Sequence, residues 1–453
     1  MTTRVHPPQS IRDICATLEK HGHEAWCVGG AVRDALLGIE TLDWDIATSA
    51  HPEQVQKLFR RTVPVGIKFG TVGVLDRDGV LHEVTTFRHD VETDGRHAVV
   101  RYGASLDEDL ARRDFTINAI ALHPERLELR DPFHGRRDLE AKIVRAVGEP
   151  AERMREDRLR ALRALRFAGR FAFAIDPATW DAVRESAPHL GRLSMERVKQ
   201  ELEKVMEQVA APSATLERYR AAGIFAALVP ALAQAPRERF AAIDHLARPG
   251  LRGRPDRRSV RLAALFVEPG QAPPRDLEKT LKHLKYSNVE VKATVAWAEA
   301  LGAMSLDSVA KGTRFSDADL RRRIARVGRL AVPAVARLLG ARAAAEAAGA
   351  ALGGSAPSEA AGGGAGRTAR ALYRRALRIA WRDPLTVADL AVDGEDLHAA
   401  GVSAGRAIGD TLSSLLEQVL DDPTLNTRDA LLARVAAGVS ARADTLRPPS
   451  QSR

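Results

Sequence analysis

Strand-forming runs are confined to the first 150 residues of this chain, and everything after them reads as helix. In the first part, apolar runs of strand length alternate with segments of helical spacing. The runs are Ala25 to Val28, Asp43 to Ala47, Thr71 to Leu75 and Val80 to Phe87. Ser10 is placed to cap a helix in which Ile11, Ile14, Cys15 and Leu18 share a face and which Gly22 ends. Ala31 to Leu37 reads as a helix stopped by Gly38. Asp78-Gly79 between two strand runs predicts a hairpin, and Ser105 with Glu108 forms a capping box for a helix running through Leu122. Beyond residue 150, Ala, Leu, Arg and Glu at helical spacing dominate. The stretch Ala341 to Gly366 is nearly all Ala, Gly and Ser, and its glycines (Gly353, Gly354, Gly362 to Gly364) predict a flexible insertion rather than helix. The expected class is α+β, a small N-terminal sheet-and-helix domain followed by an all-helical body. The expected divisions are 1–150, 151–210, 211–340, the insertion 341–367, and 368–453.

Bulk properties narrow the function. At 453 residues the chain is long enough for two to four domains. Lys and Arg total 68 against 59 Asp and Glu, a net charge of +9. That balance suits a polyanionic partner, although an Arg-rich composition alone produces the same number. Two cysteines, Cys15 and Cys27, exclude a disulfide scaffold and a four-cysteine zinc site and favour a reducing compartment. Residues 1–10 lack the apolar core of a signal peptide, and no run approaches the ~20 apolar residues of a membrane span. A cytoplasmic protein without membrane contact is expected.

Three features of the N-terminal part carry chemistry. Gly29-Gly30 stands between a strand and a helix, where bare backbone can approach a phosphate closely and helix N–H groups can donate to it. The same pair is also what a plain turn uses. Thirteen residues beyond Gly30, Asp43-Trp44-Asp45 places two carboxylates at i and i+2, on one face of a strand. Their mutual repulsion is relieved by a cation between them, and magnesium, a hard oxygen-seeking ion that binds phosphates, fits. Two solvated aspartates on an edge strand would look alike. Glu83, among Val80, Leu81, Val84 and Phe87, supplies a third acid of the sort that two-metal phosphoryl transfer uses, or else a solvent-facing strand residue.

In this order and spacing the features resemble the polymerase-β-like nucleotidyltransferases, specifically the bacterial class II CCA-adding enzymes and poly(A) polymerases. The matching stretches begin with Val28-Gly-Gly-Ala-Val-Arg-Asp-Ala-Leu-Leu-Gly38, Asp43-Trp-Asp-Ile-Ala-Thr48, Gly70-Thr-Val and Glu83-Val-Thr-Thr-Phe-Arg88. They continue through Arg112-Arg-Asp-Phe-Thr-Ile-Asn-Ala-Ile-Ala121, Asp131-Pro-Phe133 with Gly135, and Glu156-Asp-Arg-Leu-Arg-Ala-Leu-Arg-Ala-Leu-Arg-Phe-Ala168. The likeness covers residues 24 to about 205. A weaker one covers Leu284 to Asn288 and Asp389 to Leu432, which look like tRNA-contacting parts of longer members. Some relatives carry a phosphohydrolase His-Asp pair after Arg-Leu-Ala-Ala-Leu. Here Arg261-Leu-Ala-Ala-Leu-Phe266 is followed by Val267-Glu268, so that second activity is not expected.

The resemblance implies a catalytic head (1–150), a base-recognising neck (151–210), and an elongated RNA-binding body and tail. Asp43 and Asp45 would hold two Mg2+ ions that activate the RNA 3′-hydroxyl and clamp the α-phosphate, with Glu83 as third acid. Gly29, Gly30 and Arg33 would take the triphosphate, and Arg113 with Asp114 and Asn118 would contact phosphate and ribose. Arg112 and Arg113 could equally be a solvated face paired with Asp107 to Asp109. Asp157, Arg160, Arg163 and Arg166 recur every three residues along one helix, above an apolar face of Leu159, Leu162, Leu165 and Phe167. As acceptor and two-pronged donor, Asp157 and Arg160 would read the base edges of CTP and ATP, unless they form an ordinary i,i+3 ion pair. Lys282, Lys285, Arg321 to Arg323 and Arg326 are expected phosphate contacts.

The implied output is CCA addition to tRNA. The segment His89 to Ala104 reads as a long mobile loop, and members of the resembling family that add only CC are shortened there, so addition of the terminal A is expected. Alternatives are poly(A) synthesis or partial addition by the same chemistry, an RNA-binding protein without catalysis, and a small-molecule nucleotidyltransferase. The last would not need a basic helical body.

Overall fold

The computed structural model describes residues 6–41, 43–93, 98–246, 255–267, 273–302, 316–352 and 359–445. Two compact units divide it. One comprises residues 1–235 with 283–285, the other 236–282 with 286–453. Compactness therefore changes at 235–236, and neither 150 nor 210 separates compact units.

In the first unit a mixed seven-stranded sheet has the order β3-β4-β5-β2-β1-β8-β9. Its strands are β1 (Ala25–Val28), β2 (Asp45–Thr48), β3 (Thr62–Gly66), β4 (Thr71–Leu75), β5 (Leu81–Thr86), β8 (Ala121–Leu122) and β9 (Leu129–Arg130). A separate two-stranded sheet joins β6 (Arg88–Thr93) to β7 (Ala98–Tyr102). Only β2 and β5 run parallel in the large sheet. Helix α1 (Gln9–Lys20) buries Ile11, Ile14, Cys15 and Leu18, the face read from its spacing. Its start differs from expectation, since Pro8 precedes the helix and Ser10 lies within it. The hairpin at Asp78-Gly79 is formed, with Gly79 at φ +82°.

The helix from the Ser105 capping box also differs. Helix α4 (Leu106–Ala111) stops eleven residues short of Leu122. A 3-10 turn follows at Thr116–Asn118, and β8 then pairs with β1 through Val28↔Ala121 and Cys27↔Leu122. A helical pattern lost here to a ladder partner that local spacing does not reveal. Likewise, Arg88–Thr93 pairs with Ala98–Tyr102, with a register shift between Asp90 and Glu92, where a loop was expected.

After helices α5 (Gly135–Ala141), α6 (Pro150–Glu156), α7 (Leu159–Phe171), α8 (Pro177–Ser186), α9 (Met195–Gln208) and α10 (Pro212–Ala221), the first unit ends in short helical turns. Helix α7 buries Leu159, Leu162, Leu165 and Phe167 as expected. Its Gly169 lies so close to α10 that an added Cβ would stand 2.0 Å from Thr215 Oγ1.

The second unit is helical throughout its described residues. Leu320, Ile324, Val332, Ala376, Ile379, Ala380, Leu385 and Leu420 form one apolar cluster, and Val392, Leu397, Leu415, Val419, Leu431 and Val435 another. Helices Val332–Leu352 and Glu359–Arg382 run into the Ala/Gly-rich stretch from both sides, which corrects the expectation that it is not helical. Alanine is the strongest helix former, so it offsets the ~1 kcal/mol that each glycine costs. Burial of Ala341 and Ala345 adds packing. Gly353 and Gly354 lie outside the described residues. Arg321 is no surface cation: it is buried, paired with Asp383 at 2.9 Å, and donates to the carbonyls of Leu420 and Asp421. Arg322 is paired with Glu417 and Asp421 and Lys282 with Glu278.

One glycine tests the packing of the first unit. A Cβ on Gly135, at the start of α5, would stand 2.1 Å from the Thr116 carbonyl oxygen, a backbone atom that cannot rotate away. Gly135→Ala is expected to cost about 1–3 kcal/mol, each worth about 2–4 °C in melting temperature. Exposed Gly191, with nothing within 4 Å of its Cβ position, should accept alanine without loss. Melting curves of the two variants check this.

Candidate functional site

Strand β1 runs straight into Gly29, whose φ of +74° and ψ of −130° suit only glycine comfortably, and α2 (Gly30–Leu36) follows. A Cβ on Gly29 would lie 2.8 Å from Arg113 Nη1 and 4.0 Å from Asp45 Oδ2. The bare backbone is therefore what lets the Arg113 guanidinium lie beside Asp45. Asp45 opens β2 opposite Val28. Asp43 precedes the strand rather than lying on it, while Trp44 between them is buried. Glu83 sits on the neighbouring strand β5, exposed, and its partner Gly73 is on β4. Asp43, Asp45 and Glu83 line one open cleft of about 740 Å³.

Burial first, then the charges of Asp43 and Glu83, push the Asp45 carboxyl up to about 6, against the pull of Arg113. Crowded oxygen donors of one sign are the chemistry that a hard divalent cation relieves. Among the described residues no three His, Cys, Asp or Glu side chains stand close enough to cage an ion alone. The donor set thus fits an ion such as magnesium, which retains waters and takes further oxygens from a bound phosphate.

The opposite wall is cationic and rigidly held. Buried Asp109 grips both Arg112 (2.7 Å) and Arg113 (3.2 Å), so the pairing with the α4 acids is real and also aims Arg113. Asp114 accepts from Arg163 (2.7 Å), from Asn118 Nδ2 (2.8 Å) and from the Phe115 N–H (2.9 Å). Burial alone would raise the Asp114 carboxyl, but Arg163, Asn118 and Arg160 hold it below the ordinary value. Arg33 donates to Asn118 and pairs with Asp34 at 2.6 Å, which Arg170 meets at 2.8 Å. The Arg33 guanidinium is stacked on Phe167 and Phe171 at 5.0 and 4.8 Å. Arg33 lines the cleft but is buried and committed to these partners.

The neck residues come together otherwise than on one helix. Helix α6 ends at Glu156, Asp157 has φ −144° and ψ 103°, and α7 begins at Leu159. Asp157 Oδ1 accepts from the Leu159 N–H, the local bond by which aspartate interrupts a helix. Its other oxygen meets Arg197 at 2.7 Å. Arg160 pairs with Glu156 at 2.6 Å and donates to the carbonyls of Arg153 and Arg112. The simple Asp157–Arg160 ion pair is thus replaced by two others. Arg166 is buried against Glu201 at 2.6 Å. Gly29, Gly30, Arg33, Arg113, Asp114, Asn118, Asp157, Arg160, Arg163 and Arg166 all line the same cleft as the acids. Arg112, Arg170, Arg197, Lys204 and Gln208 join them and were not expected there as site residues. Arg170 lies four residues, about one helical turn, beyond Arg166 and could have been added on that ground, whereas nothing in the sequence links α9 to the site.

Residues 25–145 match the Poly A polymerase head domain, and residues 172–235 match a probable RNA- and SrmB-binding site of polymerase A. The fold and cleft are thus those of a polymerase-A-type head domain followed by helices. The CCA-adding enzyme of Anoxybacillus flavithermus is 49% identical over 195 residues, 43% of this chain and 49% of its own length. That of Streptococcus mutans is 49% identical over 206 residues, 44% of this chain and 51% of its own. The chain spans about half the length of these curated relatives. The Bacillus stearothermophilus CCA-adding enzyme, crystallised with CTP, superposes with a TM-score of 0.70 at 30% identity, covering 98% of this chain and all of that one. The Thermotoga maritima enzyme complexed with tRNA shares the fold at 22% identity, TM-score 0.59, covering 95% of this chain and 94% of that one. This chain belongs to the family of CCA-adding enzymes.

Asp45 gives the acid cluster a stability signature. Its folded pKa of about 6 lies above its ordinary 3.8, so the folded state binds this proton more tightly. The resulting stability is complete below about pH 4 and is lost as pH rises through about 6. In EDTA, Asp45→Asn should raise the melting temperature at pH 8, and the gain should shrink as pH falls to 5. Magnesium should raise the wild-type value more than the variant's. Gains independent of pH would overturn the electrostatic account.

Proposed function

We propose that this chain adds C, C and A to the 3′ end of tRNA from CTP and ATP, releasing pyrophosphate. The observation that carries the reading is the convergence, in one cleft, of an acid cluster, an arginine wall and the Asp157/Arg160 pair. Asp43 and Asp45 would hold magnesium, whose chemistry there would be to make the RNA 3′-hydroxyl more acidic and to offset charge gathering at the α-phosphate. Glu83 adds negative potential beside Asp45.

Gly29 and Gly30 leave room for phosphate oxygens at the end of β1, and Arg113, Arg163 and Arg170 supply charge-assisted donors to the triphosphate. Arg33 keeps Asn118 turned towards the ribose. Asp157 offers an acceptor and Arg160 a forked donor to the base edge, each fixed by its own partner, Arg197 and Glu156. No template strand is required, because fixed protein groups read the incoming base. Among the described residues no helix is long and apolar enough to cross a membrane.

Given tRNA that ends before CCA, with CTP, ATP and magnesium, the product should grow by three nucleotides and stop on a sequencing gel. Growth by two, growth only on tRNA already ending in CC, or a long ladder of A would each replace the reading by another output of the same chemistry. No growth would favour an RNA-binding protein without catalysis.

Asp157→Ala and Arg160→Ala should degrade discrimination among CTP, ATP, UTP and GTP more than triphosphate affinity, because a mismatched base then leaves fewer groups unpaired. Relative incorporation of the four nucleotides measures this. Equal weakening for all four would make these residues phosphate or packing groups.

A further inference from the structure

The face of the sheet that bears the acids continues, away from the neck, into an apolar surface. Gly73 on β4 is the cross-strand partner of Glu83 on β5 and of Val63 on β3. Cross-strand partners point to one face, as do residues two apart on a strand, so Glu83, Leu81 and Val63 share a face with Gly73. The pairing Ile46↔Val84 puts Asp45 on that face too. A Cβ on Gly73 would stand 2.6 Å from Leu81 Cδ1 and 2.8 Å from Val65 Cγ2. The two aliphatic chains therefore lie flat across the glycine and close a floor over it. On the opposite face Val72, Val74 and Val84 are buried, whereas Val63, Val65 and Leu81 are 38%, 44% and 42% exposed. An open sheet face is ordinarily polar. Here three exposed aliphatic side chains gather around one glycine, beside a cluster of carboxylates.

We infer that this floor is a stacking platform for the 3′-terminal nucleobases of the RNA acceptor, an inference that rests on the proposed nucleotidyl transfer to RNA. Leu81 lies two residues from Glu83 along β5, about 7 Å at the rise of a strand. The floor therefore begins within reach of the terminal base if the 3′-hydroxyl is at the carboxylates, and that base can lie flat on it. Val63, Val65 and Leu81 are not among the residues lining the nucleotide cleft, so the incoming base, held at Asp157 and Arg160, does not compete for them. Aliphatic carbons offer no donor or acceptor. Such a surface packs against the flat face of any base by dispersion and does not read its edge, which suits an acceptor whose last base changes with each addition.

The test is an equilibrium binding measurement on the full chain with a short tRNA acceptor stem labelled at its 5′ end. A second version of the stem lacks the base of its 3′-terminal nucleotide. Leu81→Asn and Val65→Asn are exposed substitutions, and circular dichroism and an unchanged KM for CTP report an intact fold and nucleotide cleft. Each variant should bind the normal stem about tenfold more weakly, roughly what part-burying one aliphatic side chain contributes. The abasic stem should show the same loss on wild type and little further loss on the variants. Unchanged affinity in both variants, or losses that multiply with removal of the base, would overturn the platform. Because binding is read without turnover, a wild-type chain that binds in this pattern but adds no nucleotide would refute the transfer reading and leave the platform standing.

Discussion

A largely buried relay of ion pairs and hydrogen bonds, with the neutral Asn118 at its centre, holds this site together. Arg163, Asp114, Asn118, Arg33, Asp34 and Arg170 are joined in sequence by hydrogen bonds and ion pairs. They link α7 to the turn after α4 and to α2, with the Arg33 guanidinium laid on Phe167 and Phe171. Each member satisfies its neighbour, which is the condition under which buried charge is tolerable. Removing one partner from such a set leaves an uncompensated ion and typically costs about 3–5 kcal/mol. The relay therefore welds the sheet to the first neck helices, and the relative positions of acid cluster and arginine wall follow from it.

Electrostatically the cleft is split. On one side burial, with the added repulsion of Asp43 and Glu83, raises the Asp45 carboxyl to about 6. On the other, arginines are pinned by acids buried behind them: Asp109 behind Arg113, Asp114 behind Arg163, Glu201 behind Arg166. Pinned cations lose little freedom when an anion binds and need not reorganise as charge moves during reaction. A triphosphate, the proposed substrate, would meet donors at its oxygens on one side and, on the other, the carboxylates that would hold a divalent cation at its reacting end. Gly29 is the joint of the arrangement, since any side chain there would separate Arg113 from Asp45.

Much of this was legible in residue order. The strand-to-helix change of texture, the amphipathic face of α1, the turn at Asp78-Gly79 and the Gly-Gly, Asp-x-Asp and Asp-x-x-Arg elements all depend on neighbours within a few positions, where spacing alone carries the information. Where distant pairing decided, local reading went astray. The segment after Ala111 left the helix to supply β8 to β1, Arg88–Thr93 paired with Ala98–Tyr102, and alanine-rich helix ran through glycines that were expected to stop it.

By itself, then, the sequence determined the order and spacing of the candidate site residues, because carboxylate spacing and glycine freedom are properties of a few adjacent residues. Only the tertiary structure decided their partners. It made Arg33 a buried strut, moved Asp157 off the helix into the grip of Arg197, and brought Arg170, Lys204 and Gln208 to the cleft. It also left Leu81 and Val65 bare across Gly73. Such contacts join residues tens of positions apart, and their energies come from burial and packing that no local pattern encodes.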